Sequence, residues 1–369
     1  MERKGVDLFN SFYKNKRVLI TGHTGFKGSW LSIWLRTLGA IVIGYGLDPY
    51  TEDDNFVVAG LKNKIIDIRG DIRDSVKLHE VFTKYKPEII FHLAAQALVK
   101  QSYENPKETY ETNVMGTLNV LECIKNSASV KVSIMVTTDK CYKNIEQIWG
   151  YREDDPMGGY DPYSSSKGCA EILIDSYRNS FINPKDYKVH GKSIASVRAG
   201  NVIGGGDWSK DRIIPDCIRA LKDNKEVELR NPGAIRPWQH VLEPLSGYLL
   251  LASKMYEDGD SYCSGWNFGP NGDSIVSVGN IVDTIIKEWG NGKCLDVSRE
   301  NAPHEANLLK LDCTKAKTYL KWSPKLNVDE AVKLTVDWYK IFNDKDKNMF
   351  NLCVNQIKSY VSKTSKEVI

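Results

Sequence analysis

The stretch Arg17-Val18-Leu19-Ile20-Thr21-Gly22-His23-Thr24-Gly25-Phe26-Lys27-Gly28 decides the fold. Arg17 to Thr21 is a short apolar run of strand type, and the turn from Gly22 to Gly28 is punctuated by three glycines. An amphipathic stretch then runs to Leu38 and stops at Gly39; a second strand, Ile41 to Leu47, ends at Asp48. Strand, glycine turn, helix, strand and acid in this order make a dinucleotide-binding βαβ unit. Glycines let the backbone turn tightly and approach a pyrophosphate, which then rests on the helix N-terminus where free N–H groups point outward. Asp48 lies about twenty residues beyond Gly28, where a carboxylate accepts both ribose hydroxyls and repels a 2′-phosphate, so NAD is favoured over NADP. A phosphate-cradling P-loop needs Gly-Lys-Ser/Thr; here the order is Lys27-Gly28-Ser29 with the wrong glycine spacing, and that reading is rejected.

Working outward, the alternation continues. Strands are expected at Ile65–Arg69, Glu88–Ala95, Val132–Val136 and Ser193–Arg198, with helices at Val76–Tyr85, Pro106–Ser127 and Pro162–Phe181. Asn113 falls near the middle of the second of these helices. Repeated strand–helix units predict an α/β fold, a Rossmann-type doubly wound parallel sheet, with ligands gathered at the C-terminal strand ends. Gly22, Asp48, Ala94, Thr138 and Arg198 are then expected to converge on one crevice. Beyond Ala199 the texture changes. Gly200-Asn201-Val202-Ile203-Gly204-Gly205-Gly206-Asp207-Trp208 is read as irregular, and the chain beyond it as a smaller C-terminal substrate-binding domain. The division is 1–199 for the cofactor domain, with a return segment near 238–262, then 200–345, then a helical tail over 346–369. In that tail Phe350, Cys353, Val354, Ile357 and Tyr360 recur at helical spacing, a stripe expected to dock on the core.

Two polar groups carry chemistry. Thr137-Thr138-Asp139-Lys140 emerges at the end of the Val132–Val136 strand. Tyr163-Ser164-Ser165-Ser166-Lys167 opens a helix after Asp161-Pro162, and its Tyr and Lys, four apart, share a face. A phenol beside a fixed ammonium is expected to ionise below its reference value of about 10, which suits a base for a sugar hydroxyl.

Bulk composition narrows the class. Fifty Lys and Arg against 47 Asp and Glu leave a formal charge of +3 over 369 residues, no case for nucleic acid or an anionic membrane surface. No apolar run approaches the roughly twenty residues of a membrane span, and Met1–Asp7 lacks the apolar region of a signal peptide. Eight scattered cysteines without a C-x-x-C pair, and six dispersed histidines, read as free thiols in a reducing compartment with no metal site. A cytoplasmic protein is expected.

With the glycine turn, the Thr138 strand end, Tyr163-x-x-x-Lys167 and Asn113 together, the chain resembles the extended short-chain dehydrogenase/reductase family. Longer phrases narrow this: Gly22 to Leu31, His92-Leu93-Ala94-Ala95-Gln96, Thr112 to Thr117, Gly200 to Trp208, and Arg236-Pro237-Trp238-Gln239-His240-Val241-Leu242-Glu243-Pro244-Leu245 resemble the CDP-glucose 4,6-dehydratase branch from about residue 10 to 340. The resemblance implies a nicotinamide cofactor used as a loan. Hydride leaves sugar C4 for NAD while Tyr163 takes the O4 proton with help from Thr138 and Lys167; water is lost across C5–C6; the hydride returns to C6. The product, a 4-keto-6-deoxy nucleotide sugar, is a precursor of surface-polysaccharide sugars. Asp139 resembles the family's general acid. The next position is a Glu base in the related dTDP-glucose enzymes and is Lys140 here. Lys140 is either a neutral base for C5 or a charged stabiliser of the enolate.

By the same resemblance, the cofactor site comprises Gly22, Thr24, Gly25, Phe26, Gly28, Asp48, Asp71, Ile72, Leu93, Ala94, Ala95, Gln96, Asn113, Tyr163 and Lys167. Asn201, Arg212 and Arg236 match positions that hold the substrate pyrophosphate, and His304 one near the nucleotide. The helices 106–127 and 162–181 resemble a four-helix dimer interface, so a homodimer is expected. Rival readings are a dehydratase of UDP-N-acetylglucosamine or a GDP-sugar, an NAD-dependent C4 epimerase, and a cofactor-binding regulator without turnover.

Overall fold

The computed structural model describes residues 9–298, 308–344 and 348–365. Six strands at Arg17–Thr21 (β1), Ile41–Gly46 (β2), Ile66–Arg69 (β3), Ile89–His92 (β4), Val132–Val136 (β5) and Ser193–Arg198 (β6) are joined by a seventh, Gly265–Asn267 (β7). All pair parallel, in the order β7-β6-β5-β4-β1-β2-β3. The chain reverses direction across the sheet between β1 and β4, which opens a crevice at the C-terminal strand ends there. Strand alternation divides the core in two. Val18, Ile20, Val132, Ile134 and Val197 face one cluster; Leu19, Met135 and Ile194, from the same strands, face the other.

The second cluster is closed by the helices Ser75–Tyr85 (α2), the run Pro106–Tyr110, Glu111–Met115, Gly116–Asn126 (together α3), and Pro162–Ser180 (α4). The middle piece of α3 is a π-turn carrying Asn113, a local widening that aims that side chain inward. Asp74 and Asp161 cap α2 and α4, each accepting from a backbone N–H in the first turn. The first cluster is closed by Phe26–Thr37 (α1) and by later elements: Ile213–Lys222 (α5), Leu242–Glu257 (α6), Val278–Trp289 (α7), Val328–Phe342 (α8) and Met349–Ser365 (α9). It runs without a break from Trp30 through Trp238 to Trp338 and Tyr360. The part after residue 200 therefore shares its core with the sheet.

Two expectations are corrected. Val202–Ile203, inside the stretch read as irregular, pairs in parallel with Gln239–His240; the partner lies too far along the chain to be visible locally. Arg198 does not reach the crevice. Its guanidinium is buried against Glu171, with Nε 2.9 Å from Oε1 and NH2 2.8 Å from Oε2, and donates to Tyr142. α6 packs against β5 and β6.

The stripe on α9 packs on α1: Tyr360 meets the edge of Trp34 at 5.9 Å between centroids, and Cys353 and Ile357 are buried. Tyr360 also donates to Glu243 at 2.6 Å, and the same carboxylate accepts from the backbone N–H groups of Lys325 and Leu326, 2.7 Å each. Burial pushes Glu243 up to about 7. Its ordinary value of 4.5 holds in the unfolded chain, which therefore loses the proton first as pH rises. The stabilisation is full below about 4.5 and lost as pH rises through about 7. In Glu243→Gln the amide oxygen still accepts from both N–H groups. Its melting temperature is expected to fall less than that of the unsubstituted protein between pH 5 and pH 8; an equal fall would exclude the effect.

Candidate active site

The glycine turn is built by contact. Gly22 has φ +74°, and a Cβ there would lie 2.7 Å from the Ala94 nitrogen; at Gly28 it would collide with the Gly22 carbonyl. Gly25, at the N-cap of α1, offers no side chain to the first turn, so the N–H groups of that 12-residue helix remain available to an anion. Thr24 is spent on the Leu47 carbonyl at 3.0 Å, and Phe26 lies against Gly204. Asp48 is exposed, with Arg69 Nε 3.5 Å from Oδ1. The Arg69 fork is itself occupied by Asp67 and the Leu47 carbonyl. A bare helix end, a backbone-lined turn and an open carboxylate beyond the second strand fit a dinucleotide.

The far side of that crevice is held by Asn113. Its Oδ1 accepts from the Gln96 N–H at 2.9 Å, and its Nδ2 donates to the Gln96 carbonyl at 3.0 Å and to Ser166 at 2.9 Å. This ties the Leu93-Ala94-Ala95-Gln96 loop, whose Leu93 and Ala94 N–H groups bond Thr21, to α4. Asp71 is turned to Arg73, and Ile72 is buried against Gly116. The Asp71 carboxylate is therefore engaged by Arg73, and its carbonyl accepts from Tyr45 at 2.8 Å.

Thr138, Asp139 and Lys140 follow β5 into a tight turn at Asp139–Cys141. Thr138 donates to Asp139 Oδ1 at 2.9 Å and stands near the Tyr163 phenol. Asp139 is 1% exposed; Lys140 is half-buried. Lys167 donates to the Val136 carbonyl at 3.3 Å, and burial lowers its ammonium to about 8. The structure corrects the expected ionisation of Tyr163. Burial pushes the phenol up to about 12, and the nearby Thr138 hydroxyl and Arg212 only partly offset this. With Lys167 turned to the strand carbonyl and itself desolvated, the lowering expected from a neighbouring ammonium is not realised.

On the outer wall Asn201 takes a left-handed backbone, φ +48°, and its Oδ1 is buried without a hydrogen-bond partner. Arg212 NH1 meets Asp207 at 2.8 Å. Arg236 is 7% exposed and donates to the Ile235 carbonyl at 2.9 Å. His304 lies outside the described residues. One group escaped the sequence reading: Lys27, weighed there only against a P-loop. It sits in the field of Arg212, Asp139, Lys167 and Asp207, and burial with those cations brings it down to about 8. A lysine inside a dinucleotide glycine turn was the available signal. No cluster of three or more metal-ligating side chains occurs among the described residues.

Comparison with known proteins agrees with this geometry. The family model described as GDP-mannose 4,6 dehydratase matches residues 19–335. CDP-glucose 4,6-dehydratase of Salmonella typhimurium is 51% identical over 96% of this chain and 99% of its own. Among solved structures, UDP-glucose 4-epimerase of Thermotoga maritima superimposes with a TM-score of 0.74 at 24% identity, over 88% of this chain and 98% of its own. The dTDP-glucose 4,6-dehydratase of Bacillus anthracis, solved with NAD, gives 0.72 at 22%, over 88% and 96%; these two likenesses speak to the fold. With its strand-end Thr138-Asp139-Lys140 beside Tyr163 and Lys167, and a family match across most of its length, the chain belongs to the GDP-mannose 4,6-dehydratase family of nucleotide-sugar dehydratases.

Proposed function

We propose that this protein is an NAD-dependent lyase converting CDP-glucose to CDP-4-keto-6-deoxyglucose. The observation that carries the reading is the 51% identity to the Salmonella CDP-glucose enzyme across nearly both chains; the Asp139-Lys140 pair at the end of β5 supports it. NAD, when bound, takes a hydride from sugar C4 and later returns it to C6. Gly22, Gly25, Phe26 and Gly28 hold its pyrophosphate; Asp48 takes the ribose hydroxyls, with Asp71 and Ile72 at the adenine. Ala94, Ala95 and Gln96 give the flat ring room. Tyr163 accepts the O4 proton, oriented by Thr138, while Lys167 fixes the nicotinamide ribose. Asp139 protonates the departing C6 hydroxyl. Lys140 works at C5. Asn201, Arg212 and Arg236 bind the substrate pyrophosphate, where rigid guanidinium forks suit adjacent phosphates, and His304, outside the described residues, is assigned to the nucleotide by resemblance alone.

In this reading residues 1–199 with the return segment near 238–262 bind NAD, 200–345 bind the nucleotide sugar, and 346–369 form a docking tail. A homodimer through α3 and α4 is supported by the apolar surface they leave open, Met115, Ile172 and Phe181. A cytoplasmic setting agrees with eight unpaired thiols. No helix among the described residues is long and apolar enough to cross a membrane.

Incubation with NAD and, separately, CDP-glucose, UDP-N-acetylglucosamine and a GDP-sugar tests the substrate. The alkaline 4-keto chromophore is expected with CDP-glucose; a stronger signal from another nucleotide sugar would refute the base assignment. Lys140→Ala is expected to slow exchange of the C5 hydrogen with deuterated solvent about a hundredfold or more, the lower end of what a positioned proton-transfer group contributes. Unchanged deuterium uptake, read by mass spectrometry, would remove Lys140 from the proton transfer.

A further inference from the structure

His92 closes β4 and is buried, with Thr21 of β1 on one side and Thr117 of α3 on the other. Its Nδ1 lies 2.7 Å from the Thr21 hydroxyl and its Nε2 3.0 Å from the Thr117 hydroxyl. The neighbours decide which nitrogen carries the proton. Thr117 spends its own proton on the Asn113 carbonyl at 2.7 Å, so its oxygen accepts from Nε2–H. Nδ1 then accepts from Thr21, whose oxygen keeps a lone pair for the Ala94 N–H at 3.3 Å. In the opposite tautomer the Thr21 proton would have no acceptor, because both of that hydroxyl's partners would be donors. A charged imidazole fails for the same reason. Burial and the Lys167 ammonium on α4 bring His92 down to about 3, which keeps it neutral.

Followed further, these bonds form a ring. From Asn113 the side chain reaches the Gln96 N–H at 2.9 Å and the Gln96 carbonyl at 3.0 Å, and Ala95 leads back to Ala94. The ring clamps the Ala94-Ala95-Gln96 loop at both ends. Its Ala94 end abuts the glycine turn, where a Cβ on Gly22 would lie 2.7 Å from the Ala94 nitrogen. Any shift of the loop would therefore change the gap between loop and turn.

We infer that His92, as its neutral Nε2–H tautomer, is a positioning residue for the cofactor, holding the Ala94–Gln96 loop at the spacing from the glycine turn that NAD requires. The inference rests on the proposed placement of NAD between that turn and that loop, and deepens it. A neutral imidazole with both nitrogens engaged has no proton to trade, so its part is geometric. It acts through Thr21 and Thr117.

Thr117 is the handle for the test, because it belongs to the ring but not to the loop. Thr117→Val keeps the volume and removes both the acceptor of the Nε2 proton and the donor to Asn113; Thr117→Ser keeps both. In the full-length protein labelled with ¹⁵N-histidine, His92 is picked out from the six histidines by the signal missing in His92→Gln. That signal is expected to show an unprotonated Nδ1 and a protonated Nε2, unchanged between about pH 6 and pH 8. Calorimetry then measures the binding of NAD and, separately, of CDP. Thr117→Val is expected to weaken NAD about tenfold, the scale of a buried group losing its partner, and to leave CDP unchanged. Thr117→Ser is expected to bind both as the unsubstituted protein does. An Nδ1–H tautomer, or a His92 signal that titrates in that range, overturns the inference. So does a Thr117→Val protein with unaltered NAD affinity, or one that loses NAD and CDP alike, which is a general loss of structure. An unsubstituted protein that binds no NAD overturns the cofactor placement instead, and the tautomer is still read without it.

Discussion

Asp139→Asn is expected to lower dehydration of CDP-glucose by about a hundredfold to ten-thousandfold, the range that a positioned general acid contributes. The amide preserves shape, and its oxygen can still accept the Thr138 hydroxyl that now bonds Oδ1. What it lacks is a proton to give the departing C6 hydroxyl. Oxidation at C4 does not use that proton, so the 4-ketohexose is expected to accumulate. The measurement is acid quench followed by borodeuteride reduction, with deuterium at C4 reporting the ketone. Dehydration at the unsubstituted rate would take Asp139 out of the acid role.

A comparable loss, in stability, is expected from Glu171→Ala. Glu171 and Arg198 are both almost fully buried and bonded through two N–H···O contacts, and the hydroxyls of Thr137 and Ser196 also donate to Glu171. Burial alone would push Arg198 toward losing its proton; Glu171 reverses this and holds it charged. Removing the carboxylate strands a guanidinium in the interior, at a cost of about 3–5 kcal/mol. Replacing both partners with Met is expected to recover most of it, because the pair's desolvation is then avoided. Guanidinium unfolding midpoints would show both effects. A single substitution that shifts stability by less than about 0.5 kcal/mol would mean that water reaches Arg198 after all.

The first βαβ unit was legible because its signals are local: a glycine turn that no other residue can occupy, and apolar runs of the right length on either side. The helix start set by Asp161-Pro162 was equally plain. β7 was not, since three residues around Trp266 carry no periodicity and become a strand only by pairing with β6. The same holds for Val202–Ile203. The site divides along similar lines. Residue types and spacing pointed to Tyr163 and Lys167, and the family resemblance to Asp139, but the direction of the Tyr163 shift depends on how deeply the phenol is buried and where the ammonium points. Neither is written in a spacing of four. Arg198 looked like a ligand group because it ends a strand; its partner, Glu171, is 27 residues upstream on a helix.

The docking of α9 on α1 bears on how the protein is made. Cys353 meets Asn55 across 298 residues of chain, and the face of α1 bearing Trp34 is closed by Tyr360. As translation proceeds from the N-terminus, the cofactor-binding half can assemble its strands long before that cover emerges. Until then a tryptophan-rich flank stands open on a nearly finished sheet, a surface for a chaperone to shield while synthesis catches up.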